Sequence, residues 1–162
     1  HFADKSALLS AVASDGFRML RLALVDAWER EGRGRAGFEA MGLAYVRFAV
    51  ANPSHYRVMF GGFLARPAPD PGLSQEASGA FQVLVDSLVA QQQAGLVRPD
   101  DPLQLSRMIW AIVHGIAMLA IDGHLPHQGA DGESLAAFAI ERIRRGIAAA
   151  SSAPTNRGDT ET

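Results

Sequence analysis

Apolar residues recur along this chain at intervals of three and four, and helix-breaking residues divide the pattern into six stretches. This spacing is typical of amphipathic α-helices, and no stretch shows a convincing β-strand pattern. Asn52-Pro53 and Asp101-Pro102 each combine a capping side chain with a proline suited to the first helical position. We therefore predict an all-α fold with helices over about 4–31, 35–51, 53–60, 74–95, 102–123 and 131–150, with Asp4, Ser74 and Asp131 as further caps.

The fifth stretch is apolar on nearly all sides, which predicts that both of its sides are covered. In a chain of this size one side faces the chain's own core, and we expect the other to face a second subunit. Small residues such as Gly115 and Gly146 allow close helix contact. We predict that the last two helices form a four-helix bundle with those of a second copy, the alternative being a monomeric core. The residues expected at this interface are Met108, Ile112, Gly115, Leu119, Leu135, Phe138, Arg142 and Ile143.

Composition narrows the class of protein. The 162 residues match one domain, and 48% hydrophobic with 20% charged residues indicates a globular chain. The absence of cysteine excludes disulfides, iron–sulfur clusters and cysteine nucleophiles. A net charge of −2 gives no overall positive field that would attract nucleic acid. The longest apolar run, Met108 to Ile121, is shorter than the ~20 residues of a membrane span, so we expect a buried core helix and no membrane.

Motifs for catalysis or metal binding are weak. The chain has no pair of Glu-x-x-His motifs, no His-Glu-x-x-His helix, no glycine-rich phosphate loop and no Gly-x-Ser-x-Gly elbow. His124 and His127 share a loop, but two histidines are a weak metal signal without a third ligand. We therefore predict no cofactor, no metal and no enzymatic activity.

His114 is the most informative polar residue, because it lies inside an otherwise apolar helix. It follows Trp110 by four residues, so both side chains share one face. One interpretation is a polar group pointing into an apolar ligand cavity, and the other is a hydrogen-bonded core histidine. Tyr45 and Tyr56 allow the same two interpretations. The candidate cavity residues, which would equally describe an ordinary core, are Phe17, Tyr45, Phe48, Tyr56, Met59, Phe60, Phe81, Trp110, His114 and Met118.

Several segments resemble TetR-family transcriptional regulators. Residues 1–9, HFADKSALL, resemble the Tyr-x-His-Phe-x-x-Lys-x-x-Leu pattern that ends the helix-turn-helix domain and starts the linking helix, with the Tyr lying before residue 1. Residues 110–115, WAIVHG, look like the Trp-x-x-x-His-Gly signature of one class of C-terminal domain in that family. Segments 44–61 and 93–102 are also similar to that class, so the resemblance extends over residues 1 to about 150.

The resemblance implies a homodimeric repressor that binds operator DNA and an unknown small effector, and the absence of cysteine fits a reducing, cytoplasmic setting. The base-reading helix would precede residue 1, and Lys5 would be a remnant contact to a DNA phosphate. Residues 1–15 would end the helix-turn-helix domain and start the linking helix, and 16–150 would bind ligand and dimerise. We expect a disordered tail over 151–162. The alternatives are a helical interaction module without ligand and a cofactor-free helical enzyme.

Overall fold

A computed structural model describes residues 4–62, 71–125 and 131–149 of the chain, and the fold is all-α as predicted. The predicted disordered tail lies outside the described residues, as do His1, Phe2, Ala3 and His127. The six helices within the described ranges are α1 (Lys5–Arg30), α2 (Gly34–Ala51), α3 (Pro53–Phe60), α4 (Pro71–Gln93), α5 (Pro102–Ile121) and α6 (Gly132–Ile147).

Three aspartates cap helices as predicted. A side-chain oxygen of Asp4 accepts a hydrogen bond from the backbone N–H of Ala7 at 2.8 Å, at the start of α1. Asp101 and Asp131 accept equivalent bonds at the starts of α5 and α6. Each bond satisfies a backbone donor that has no partner within its helix. These helix starts are therefore fixed by local sequence.

One further predicted cap is right in position only, and another is wrong. Asn52 is the N-cap residue of α3 and Pro53 follows it as predicted, but the Asn52 side-chain amide donates to the carbonyl oxygen of Phe48 at 2.9 Å and caps no N–H of α3. The helix α4 begins at Pro71, so Ser74 lies within its first turn. Proline has no N–H to leave unsatisfied and has a helical φ, so it can start a helix that a sequence pattern reads as a loop.

The helices form one hydrophobic core around α2 and α5. The first helix packs on α2, α3 and α4, and α5 packs on α2, α4 and α6. At Gly42 the absence of a side chain lets Ile140 of α6 contact the backbone of α2. A single antiparallel bridge joins Val97 to Ala148 and ties the segment before α5 to the end of α6. The core is therefore closed at this end by main-chain hydrogen bonds.

The apolar run noted in the sequence, Met108 to Ile121, lies within α5. At 20 residues, this helix is long and apolar enough, by length and composition alone, to cross a membrane. Core helices of soluble proteins meet the same criterion. Packing against α2, α4 and α6 covers only part of the apolar surface of α5, since 33% of its most apolar stretch is buried within this chain.

Candidate functional site

A large cavity lies between the helices. Its volume is about 880 Å³, which is within the ~300–1,000 Å³ of pockets that hold drug-sized ligands. All six helices contribute to its walls, and most of the lining side chains are aliphatic or aromatic. The cavity therefore has the size and chemistry of a site for an apolar small molecule.

A hydrogen-bonded cluster of four side chains lies at one wall, where three of them line the cavity and Tyr56 is buried behind them. The indole N–H of Trp110 donates to the hydroxyl oxygen of Tyr45 at 3.1 Å. The hydroxyl oxygens of Tyr45 and Tyr56 are 2.9 Å apart, and the Tyr56 oxygen is 2.6 Å from Nδ1 of His114. The Tyr45 oxygen is also 3.3 Å from that nitrogen. Residues from α2, α3 and α5 thus converge on one polar point inside an apolar site.

The number of protons in this cluster determines the tautomer of His114. The indole of Trp110 can only donate, so its proton goes to Tyr45. If Nδ1 of His114 accepts from Tyr56, and Tyr45 donates to Tyr56, every proton has an acceptor. If Nδ1 carries a proton instead, one buried tyrosine hydroxyl loses its acceptor, which costs about 1–3 kcal/mol. The network therefore assigns the proton of neutral His114 to Nε2.

Burial shifts the ionisation of all three titratable members toward their neutral forms. Desolvation lowers the pKa of His114 from its ordinary value of 6.5. Desolvation also raises the pKa of Tyr45 to about 12, against the opposing hydrogen bonds from Tyr56 and Trp110. The pKa of Tyr56 is raised further, first by burial and then by the neighbouring Tyr45. At neutral pH the cluster is a set of uncharged hydrogen-bonding groups.

Phe60 holds the cluster against the cavity. Its ring centroid is 4.7 Å from that of His114 and 4.8 Å from that of Tyr56. It also makes an edge contact at 5.2 Å with Phe17 of α1. Phe81 of α4 packs edge-on against Trp110 at 6.1 Å. These contacts orient the cluster through aromatic residues of α1, α3 and α4.

Most candidate cavity residues do reach the cavity. Three do not line it. Tyr56 lies behind the wall with no exposed surface, Phe48 is buried elsewhere in the core, and Met118 is partly buried against the core. Ligand contact stays a prediction for the seven that do line it, which are Phe17, Tyr45, Met59, Phe60, Phe81, Trp110 and His114.

The sequence analysis missed the polar residues of the cavity wall. Four exposed side chains line the cavity and lie where it meets solvent, and we call this group the mouth: Ser74, Ser78 and Gln82 of α4 with Arg107 of α5. Their spacing contained the signal. The three α4 residues repeat at intervals of four, and Arg107 precedes Trp110 by three, so each set shares a helix face.

The candidate interface residues lie mostly on the outer side of α5 and α6. Met108 and Leu119 are each 43% exposed and Phe138 is 57% exposed, which is high for large apolar side chains. Arg142 is exposed and its guanidinium carbon lies 4.9 Å from the centre of the Phe138 ring. Ile112, Gly115 and Leu135 are partly buried, whereas Ile143 is buried within this chain.

Two further candidates lie apart from the cavity. Lys5 is exposed at the first position of α1. His124 is exposed after the end of α5. Over the described ranges, no three histidine or acidic side chains lie close enough together to hold a metal ion.

The fold is similar to that of several solved structures. A protein of unknown function from Rhodococcus sp. RHA1 is 34% identical, with a TM-score of 0.83 over 91% of this chain and 77% of that one. A regulatory protein of the tetR family from Rhodococcus RHA1 is 19% identical, with a TM-score of 0.76 over 93% of this chain and 78% of that one. A TetR family transcription regulator from Marinobacter aquaeolei VT8 is 18% identical, with a TM-score of 0.71 over 93% and 76%.

The two more distant structures show the fold: a helical domain of the TetR type. Residues 38–143 match the family described as "Tetracyclin repressor-like, C-terminal domain". The chain belongs to that family. No curated protein matches it.

Proposed function

We propose that this chain is the ligand-sensing and dimerisation part of a TetR-family transcriptional regulator. In this proposal a small apolar or amphipathic molecule enters the cavity and releases a repressor from its operator in the cytoplasm. The observation that carries the proposal is the 880 Å³ apolar cavity with the Tyr45–Tyr56–His114 cluster in its wall. A protein with no ligand has no evident need for a cavity of this size, because protein interiors are otherwise closely packed.

The contacts of α3 suggest how binding would reach the DNA-binding domains. Met59 and Phe60 line the cavity, and Phe60 packs on Phe17 of α1. Gly16 lets α3 lie very close to α1, since a Cβ at Gly16 would be 2.5 Å from Sδ of Met59. A ligand that moves α3 would therefore also move α1, the helix that would lead to the DNA-binding domain.

Movement of α1 would change the separation of the two DNA-binding domains in a dimer. Such domains must meet half-sites roughly 34–36 Å apart. Some dimer conformations hold the DNA-binding domains at a separation that does not match the half-sites. A ligand that binds more tightly to those conformations would shift the population away from the DNA-bound form. The coupling free energy between two allosteric sites is typically about 1–3 kcal/mol. In this mechanism the contacts between α1 and α3 would have to transmit a free energy of that size.

The outer side of α5 and α6 supports the dimer. Phe138, Met108 and Leu119 expose apolar surface there. A Cβ added at Gly115 or Gly146 would meet nothing within 4 Å, so contacts among the described residues give neither glycine a packing role. A second copy of the chain lying closely across these helices would supply that role.

The two alternatives have less support. A ligand-free interaction module would be favoured by a filled interior, and the cavity argues against it. An enzyme would need a reactive polar pair, and the Tyr56–His114 pair is the candidate. Both tyrosine pKa values are raised, so neither hydroxyl supplies a phenolate nucleophile near neutral pH.

The proposal requires a longer protein that carries a helix-turn-helix domain, and a gel-shift experiment with that protein tests it. We expect that protein to shift DNA from its own promoter, and this chain alone to shift none, because it would lack the base-reading helix. Failure of the longer protein to bind any DNA near its gene would contradict the regulatory function.

A further inference from the structure

The electrostatic character of the cavity restricts the ligand further. Among its described lining residues, Arg107 is the only one that carries a charge at neutral pH, and none is acidic. The remaining ionisable side chain of relevance, His114, is kept neutral by burial. Arg107 has no acidic partner within the part of the chain that the structure describes. The described lining therefore offers a ligand one cation and no carboxylate, while the carboxylate of Asp86 beside the mouth accepts a hydrogen bond from Gln82.

Two hydrogen-bond donors that line the cavity lie on one face of α5. Arg107 lines the mouth, and His114 follows it by seven residues, which is about 10 Å along the helix axis. The Nε2–H of His114 has no hydrogen-bond partner among the described residues, since the cluster uses only Nδ1. Between the two donors, the wall consists of Trp110 and aliphatic side chains such as Val113.

We propose that the ligand is an elongated, apolar monoanion whose carboxylate or similar acidic group binds Arg107 at the mouth. Its apolar body fills the cavity, and a hydrogen-bond acceptor at the far end receives the Nε2–H of His114. This inference rests on the proposed function, because it takes the cavity to be the ligand site. It adds the charge of the ligand, the end of the cavity that binds the charge, and the spacing of its two polar groups.

The first experiment compares three probes of the same chain length: decanoate, 1-decanol and decylamine. Binding is measured by isothermal titration calorimetry with the 162-residue chain, below the aggregation concentration of each probe. We expect decanoate to bind about tenfold more tightly than decylamine, since the same Arg107 attracts one head group and repels the other. Decanol should lie between them. Equal affinity for the three probes would overturn the inference.

Matched variants locate the charge. Arg107→Gln should weaken decanoate binding by about 1.5- to fivefold, the range of an exposed ion pair, and leave decanol unchanged. Arg35→Gln removes an exposed arginine of α2 that does not line the cavity, and should change neither. An Arg107→Gln variant that binds decanoate as tightly as the unmodified chain would contradict the inference.

A fourth probe, 10-hydroxydecanoate, tests the far end of the cavity. Burying a hydroxyl without a hydrogen-bond partner is costly, so the added hydroxyl should weaken binding unless it accepts a hydrogen bond from Nε2–H of His114. We expect 10-hydroxydecanoate to bind the unmodified chain at least as tightly as decanoate. The His114→Leu variant should bind 10-hydroxydecanoate severalfold more weakly than it binds decanoate. If His114→Leu leaves the ratio of the two affinities unchanged, the assigned role of His114 is wrong.

One more variant separates failure of this inference from failure of the proposed function. Ala77→Trp places a bulky side chain into the cavity wall, and it should abolish binding of every probe while circular dichroism shows that the helices are retained. If no probe binds the unmodified chain, or if Ala77→Trp has no effect, the cavity is not the ligand site and both proposals fail. If the probes bind there without regard to charge, only the inference fails.

Discussion

Two apolar regions lie on opposite sides of α5. They differ in whether a hydrogen-bonded cluster of polar groups accompanies the apolar side chains. On the inner side, Trp110 and His114 take part in a hydrogen-bonded cluster within the cavity wall. On the outer side, Met108 and Leu119 are exposed, with no comparable cluster among the described residues. The inner side thus has the features of a selective small-molecule site. The outer side has the features of a surface that a large apolar partner covers.

The proposed dimer would explain why α5 is apolar on nearly all sides. A helix on the surface of a small monomer needs only one apolar face. Here one face borders the cavity, and the proposed dimer would cover the other. The predictions below test whether these two surfaces serve different purposes, starting with the largest expected effect.

Phe138→Arg should convert a dimer into a monomer. The new guanidinium would replace an apolar ring at the proposed interface and lie beside Arg142, which already packs over that ring. Because Phe138 is 57% exposed within one chain, the monomer itself should stay folded. Light scattering coupled to size-exclusion chromatography measures the mass. Leu22→Arg is the control, since Leu22 is 50% exposed on α1. A wild-type monomer at micromolar concentration, or a dimeric Phe138→Arg variant, would refute the interface.

Tyr56→Phe should lower the free energy of unfolding by about 0.5–1.5 kcal/mol, the net contribution of a typical hydrogen bond. The change removes the 2.6 Å bond to Nδ1 of His114 and leaves Tyr45, at 3.3 Å, as the donor to that nitrogen. His114→Asn is the milder comparison, because its side-chain oxygen can accept the bond from Tyr56. Urea unfolding at one fixed protein concentration measures both variants. A Tyr56→Phe variant as stable as the wild type would show that the cluster does not stabilise the inner side of α5.

The smallest expected effect is on the pH dependence of stability. The pKa of His114 is lower in the folded chain than its ordinary 6.5, so the unfolded chain binds more protons near that pH. The free energy of unfolding should therefore be highest above about pH 6.5 and decrease as the pH falls toward the folded-state pKa. His114→Asn should decrease less steeply over the same range. Parallel pH profiles for the two proteins would mean that His114 is not kept neutral by its surroundings.

Local features made the six helices predictable. Asp4, Asp101 and Asp131 cap their helices through atoms two or three residues away, so short segments contain the whole interaction. The prediction of a capping hydrogen bond was wrong where the side chain had another partner or where the helix began at an earlier residue. The Asn52 amide turned back to Phe48, and Pro71 started α4 ahead of Ser74.

The cavity was predictable in part. Trp110 and His114 share a helix face four residues apart, and both line the cavity as that spacing suggested. Phe48 and Met118 have the same apolar chemistry as the lining residues, yet they lie in the core away from the cavity. Periodicity identifies the buried face of a helix, but it does not distinguish the part of that face that borders empty space.

The sequence by itself determined the helices and most of their caps, because these depend on neighbours within one or two turns. It also determined the apolar character of α5, which follows directly from the residues of that helix. The tertiary structure decided that Tyr45 and Tyr56 meet His114, which is 69 and 58 residues away from them. It also decided that Arg107 stands at the mouth of the cavity. Such meetings depend on how α2, α3 and α5 cross, and crossing is set by the packing of all the helices together rather than by any single segment.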